Sequence, residues 1–247
     1  MPRSRIAFRV REIVLGTGLL LAACGGDGSS SPPPPTGPSG PYKGGYLDSV
    51  GGGGALSFTI APVPSVSPVA TMLAESHAVT GAVQVAAGNA SALSGTYDAS
   101  SGLEVHDVTL QYQFAGAVAS DGHFEGISVT PGGAGTWAAR PGDPSAVQVL
   151  CGTYSRCADT GCSLSVYIGS LILILPQGAS TVLVNSPDGP VAVPSTPPPN
   201  LSFDFGQIHA EGDVSSNAAS GTWADSGGSG YTGIWSASTA QCPLAAR

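Results

Sequence analysis

Charge is scarce in this chain, and positive charge most of all. Asp, Glu, Lys and Arg make up 10% of the 247 residues, with 8 basic residues against 16 acidic ones. Four of the cations, Arg3, Arg5, Arg9 and Arg11, stand at the extreme N-terminus. Without residues 1–23, which carry those arginines and Glu12, 4 basic residues face 15 acidic ones, a formal charge of −11. A nucleic-acid surface needs clustered cations that displace counterions from phosphates, so that function class is excluded. Anionic lipid headgroups are excluded as partners on the same ground. Long apolar runs are also missing. The longest beyond the N-terminus, 171–175 within "VYIGSLILIL", falls far short of the roughly 18 residues of a spanning helix. Catalytic signatures are absent too: there is no G-x-S-x-G elbow, no H-E-x-x-H pair and no phosphate-cradling G-x-x-x-x-G-K-[ST]. No catalytic residue, no cofactor and no metal is therefore expected.

What the chain has is glycine and proline, 57 residues between them, beside an apolar fraction of 42%. Apolar and polar residues alternate in short runs, which favours a folded all-β domain over a low-complexity chain. Strand candidates cover 55–61, 78–86, 103–119, 123–129, 164–175, 181–185 and 201–209. Only "VATMLAESHA", near 69–78, has helical character, enough for one short turn. "SLILILP" is apolar on both faces of any strand, so one side fills a barrel and the other is covered by the second half of the chain.

Local patterns recur. Asp121-Gly122 between two alternating runs predicts a two-residue hairpin turn, since Asp-Gly supplies the required positive φ angles. Gly116 to Phe124 aligns with Gly206 to Val214 as G-x-[VI]-x-x-[DE]-G-x-[VF]. Downstream, Gly135-Thr136-Trp137 aligns with Gly221-Thr222-Trp223, and related units stand at Gly95-Thr96-Tyr97, Gly152-Thr153-Tyr154 and Gly233-Ile234-Trp235. Residues i and i+2 of a strand share a face. A ring from a neighbouring strand then covers the glycine gap at a sharp bend of the sheet. The fold expected is an antiparallel barrel or sandwich of two related halves of about 100 residues each, 42–140 and 145–247. Whether each half closes alone is left open.

The N-terminal arginines followed by an uncharged run from Ile13 to Ala23 read as an export signal over 1–23. That run ends in Leu21-Ala22-Ala23-Cys24, which resembles the lipobox of bacterial lipoproteins. The resemblance implies cleavage before Cys24 and acylation of Cys24 at its sulfur and new amino group, palmitate among the chains. Each buried methylene contributes about 0.8 kcal/mol, so several chains anchor durably. Gly25, rather than aspartate, follows the cysteine, which by the same resemblance implies the outer membrane, on a face left open. Residues 24–41, "CGGDGSSSPPPPTGPSGP", mix flexible Gly/Ser with stiff polyproline and read as a tether reaching roughly 50 Å at most.

With Cys24 set aside, Cys151, Cys157, Cys162 and Cys242 make an even number for an oxidising compartment. Of three possible pairings the favoured one joins Cys157 to Cys162 across a small loop and Cys151 to Cys242, because closing an up-and-down barrel brings its last strand beside its first. Asp121, His123 and Glu125, and likewise His209, Glu211 and Asp213, have the residue types of a metal cluster but straddle hairpin turns, where polar side chains are expected anyway. His106-Asp107 reads as a solvated strand end. The Gly-Thr-Trp and Gly-Thr-Tyr units resemble pieces of avidin-type barrels, whose rings line a ligand cavity. That makes Trp137, Trp223 and Trp235 the first residues to inspect for ligand binding, although strand-pair and core roles fit them better. The function expected is a non-catalytic, lipid-anchored envelope or surface module with a structural or interaction role. The alternative is binding of a small apolar ligand or carbohydrate in a barrel cavity.

Overall fold

The computed structural model describes residues 38–62, 76–176, 180–186 and 188–245. The export signal, Cys24 and most of the tether lie outside them, as does "VATMLAESHA" apart from its last residues. Among the described residues the regular structure is strand, with one short 3-10 turn after the last strand. The first half holds β1 (Gly40–Asp48), β2 (Gly53–Ile60), β3 (His77–Ala86), β4 (Asn89–Asp98), β5 (Gly102–Asp107), β6 (Gln113–Val118), β7 (Phe124–Thr130) and β8 (Gly133–Pro141). The second holds β9 (Val147–Cys157), β10 (Ser165–Pro176), β11 (Ser180–Ser186), β12 (Gly189–Ser195), β13 (Asn200–Phe205), β14 (Ile208–Val214), β15 (Ala218–Asp225) and β16 (Thr232–Ser238).

Each half closes alone into an eight-stranded, up-and-down antiparallel barrel. β8 returns to β1 from Tyr42–Pro141 to Asp48–Gly135, and β16 returns to β9 from Ser238–Cys151 to Gly233–Arg156. Closure removes sheet edges, which suits strands with few charges to guard them. One seam is thin. β12 and β13 share the single pair Ser195–Phe203, and Pro190 and Pro194 bring no N–H to that side of the sheet.

Several boundaries differ from the sequence reading for local reasons. The run 103–119 is two strands, because the Asp107 carboxylate gathers Thr109 and the Tyr112 N–H and closes the loop between β5 and β6. The run 201–209 crosses a turn at Gly206, whose φ of +60° suits glycine. The Asp121-Gly122 turn exists but is longer than two residues. Ala119 N–H donates to His123 O at 2.8 Å, leaving three residues in the loop with Gly122 at φ +84°, the three-residue hairpin form.

Three cores follow from the alternation. Barrel 1 is filled by rings: Tyr42, Phe58, Tyr97, Phe124 and Trp137 pack stacked or edge-on with centroids 5.0–6.4 Å apart, the geometry aromatic quadrupoles favour. Barrel 2 is filled more by aliphatic residues, with Leu171, Leu173 and Leu175 meeting Phe203, Trp223 and Trp235. The third core lies between the barrels, where Ile172, Ile174, Val149 and Leu183 meet Leu47 and Ala138. β10 is thus buried on both faces from residue 169 onward, as "SLILILP" predicts, but the covering partner is the first half of the chain.

Candidate functional site

The three tryptophans project into the barrel interiors, and each indole N–H is used by the wall. Trp137 on β8 donates to Ala115 O at 3.1 Å, Trp223 on β15 to Ser155 O at 3.1 Å, and Trp235 on β16 is within 3.2 Å of both Glu211 O and Thr222 O. Their rings cover glycines on neighbouring strands. A methyl group built on Gly116 would come within 2.7 Å of the Trp137 ring, and methyl groups on Gly212 and Gly233 would overlap Trp235 and Trp223. A void bounded by Tyr154, Phe203, Phe205, Trp223 and Trp235 measures about 10 Å³, at the lower limit for one water molecule. The rings are packing and wall-bonding groups, with their polar atoms already committed.

The same contacts correct the register of the internal repeat. Trp137 with Gly116 and Gly126 matches Trp235 with Gly212 and Gly221, since in each barrel the indole reaches the carbonyl preceding the first glycine, and the second glycine packs on that carbonyl. The partner of Trp137 in the second half is therefore Trp235, not Trp223. Trp223 stands where barrel 1 has Ser128, each paired with the glycine of the next strand, Gly233 or Gly135. The G-x-[VI]-x-x-[DE]-G-x-[VF] match is one of sequence only: Gly122 sits in a turn, Gly212 in the middle of β14.

The polar clusters are brought together in part. The His123 ring contacts Asp121 through Nδ1 and Glu125 through Nε2 at 3.3 Å. His209 contacts Asp204 through Nδ1 at 2.6 Å and Glu211 through Nε2 at 3.0 Å. Asp204 thus takes the place expected of Asp213, and His209 and Glu211 lie within β14 rather than astride a turn. Among the described residues no three His, Cys, Asp or Glu side chains converge to hold a metal ion. The Glu211 and Asp204 hydrogen bonds raise the pKa of His209. Asp107, expected to be solvated, is buried, and Ser91, Thr109 and the Tyr112 N–H all donate to it.

Arg140 escapes any reading of sequence alone. It is buried on β8, and its guanidinium donates to Asp121 Oδ2 at 2.9 Å and, across the barrel interface, to Thr181 Oγ1 at 2.7 Å and Ser180 O at 3.3 Å. Burial pushes the Asp121 carboxyl up, but hydrogen bonds from His123 and Arg140 outweigh it and hold the pKa at about 2. The two disulfides are Cys151–Cys242 and Cys157–Cys162. The first fastens the segment after β16 to β9, the strand beside it; the second staples the tip of the β9–β10 hairpin. Cys24 lies outside the described residues.

No family model, curated protein or solved structure matches the chain. Among the described residues no helix is long and apolar enough to cross a membrane.

Proposed function

We propose that this chain is a non-catalytic lipoprotein that acts as an interaction module. Acyl chains on Cys24 hold it to the outer membrane, and the tether sets two barrels off from the lipid. The observation that carries the reading is the filling of both barrels. Barrels of this strand number hold either a ligand or their own side chains, and here Trp137 and its ring neighbours, and Trp223 and Trp235 with the leucines of β10, occupy the interior. Packed interiors leave the outer surfaces to do the work, and they favour an interaction role over lumenal ligand binding. The lipobox Leu21-Ala22-Ala23-Cys24 supports the anchor.

The test is expression of the full chain with its signal in a Gram-negative host, followed by detergent-phase partitioning of wild type and Cys24→Ser. The reading predicts that wild type enters the detergent phase and the outer-membrane fraction, whereas the variant is aqueous. Equal partitioning of the two would overturn it.

A further inference from the structure

Exposed apolar side chains are distributed unevenly over the barrels. The chain enters at Gly40, and β2, β4, β6 and β8 finish at that same end of barrel 1. The barrels stand side by side: Arg140 near the entry end meets Thr181 at the start of β11, and Gly51 at the other end lies beside Ser170 and Tyr167. Among the described residues Val118 is the one large apolar side chain exposed at the entry end, while Val50, Val108, Leu110 and Val129 are exposed toward the far end of barrel 1 and Leu164, Val166, Ile168 and Tyr231 at that of barrel 2.

The β9–β10 hairpin carries its share of this surface as one consecutive stretch. Residues 169–176 of β10 are buried on both faces, yet 165–168 of the same strand are exposed on both. The change falls where the cover ends. The ladder to β11 runs only from Ile174–Thr181 to Leu171–Val184, whereas pairing with β9 continues to Ser165–Cys157. The hairpin thus extends the buried barrel–barrel interface into solvent, with Leu164 66% and Val166 51% exposed. It is held in shape for that role: Cys157–Cys162 closes the tip, and the Arg156 guanidinium lies 4.7 Å over the Tyr231 ring. Each of the four hairpins at this end of barrel 2 carries an aspartate, Asp159, Asp188, Asp204 and Asp225; Asp204 is paired with His209, and Arg156 is the one lysine or arginine there among the described residues.

We infer that this hairpin, at the end opposite Gly40, docks a protein that presents aliphatic side chains flanked by lysine or arginine. The inference rests on the interaction reading and names the surface and the partner's chemistry. Continuity with the barrel interface calls for an apolar occupant, since 165–168 prolong the same strand that barrel 1 covers. The aspartates call for cations around that apolar centre, because complementary charge steers encounter and like charge repels wrong partners. A second copy would set aspartates against aspartates. Ordering by the disulfide and the β9 ladder lowers the entropy lost on docking.

The test uses the full mature chain and two β-hairpin peptides, one alternating valine with lysine and one alternating valine with glutamate, with affinity read by titration calorimetry. The lysine peptide is expected to bind at least about tenfold more tightly, and less tightly as salt rises. Val166→Ser and Ile168→Ser each lose about tenfold with unchanged thermal melts, while Val118→Ser at the entry end binds as wild type. The inference is overturned if neither peptide binds, if the glutamate peptide binds equally well, or if the two hairpin substitutions have no effect. It is also overturned if sedimentation shows the hairpin pairing copies of the chain, or if phosphatidylcholine vesicles take up the protein in a Val166-dependent way. None of these outcomes bears on acylation of Cys24, so the anchor and the docking surface stand or fall separately.

Discussion

Trp137 and Trp235 occupy the same place in two barrels that share one chain, each indole N–H reaching the carbonyl before a strand glycine, Ala115 O or Glu211 O, and each ring covering that glycine, Gly116 or Gly212. The glycines therefore have a steric purpose. Gly116→Ala and Gly212→Ala would press a methyl group into both a ring and a backbone carbonyl. Overpacking of this kind costs about 1–3 kcal/mol, read as a drop in melting temperature. A control substitution, Gly88→Ala, meets no neighbouring atom and bears only the strain of its positive φ, about 1 kcal/mol.

Arg140 connects the barrels, so its loss is expected to weaken more than one of them. Arg140→Ala leaves Thr181 without its donor and Asp121 with His123 alone, and should cost about 2 kcal/mol in chemical denaturation. Arg140→Lys should recover little of this, because one ammonium cannot reproduce the fork that spans Asp121, Thr181 and Ser180.

Acid sensitivity follows from Asp121. Its folded pKa, about 2, lies below the ordinary 3.8. A depressed carboxyl stabilises the fold above its unfolded pKa, and that contribution is lost as pH falls from about 4 toward 2. Melting temperatures of Asp121→Asn should therefore fall less steeply over that window than those of wild type. His209 shifts in the opposite sense: its raised pKa stabilises at low pH and fades as pH rises through the folded value. Glu211→Gln should lower the His209 midpoint in an NMR titration.

The two disulfides should contribute unequally. Cys151–Cys242 spans 91 residues of sequence separation and Cys157–Cys162 spans 5. In the chain-entropy model the long loop is worth about 4.5 kcal/mol and the short one about 2 kcal/mol. Paired Cys→Ser variants compared by urea denaturation measure the difference.

The β12–β13 seam, whose strands share the single ladder pair Ser195–Phe203 beside the Thr196–Ser202 hydrogen bonds, should exchange its amide hydrogens ahead of the β9–β10 pair, which is laddered from Ser165–Cys157 to Pro176–Val147. Hydrogen-exchange mass spectrometry resolves the two segments.

Much of this architecture is written locally. Alternation in 78–86 and 123–129, the Gly-x-aromatic units and the double-faced "SLILILP" each depend on residues a few positions apart, and they lead to strands, bends and a doubly covered β10. The cysteine pairing followed from barrel closure. What stays hidden depends on partners distant in sequence. Trp137 matches Trp235 and not Trp223, which only the closed strand order reveals, since similar Gly-Thr-aromatic units stand on several strands. Arg140 is a lone cation in sequence, and its partners lie 19 and 41 residues away. Asp107 reads as wet because Asp usually is, and its burial depends on Ser91 from β4 and the loop that follows it. The exposed 165–168 segment looks like the start of a core strand until the point where β11 stops pairing is known.

Intact-mass measurement of the mature protein, purified from membranes with and without reductant, tests the central claim most directly. The account predicts a chain beginning at Cys24 that carries acyl chains and takes up the hydrogens of two disulfides on reduction. An unmodified Cys24, or four free thiols before reduction, would contradict it.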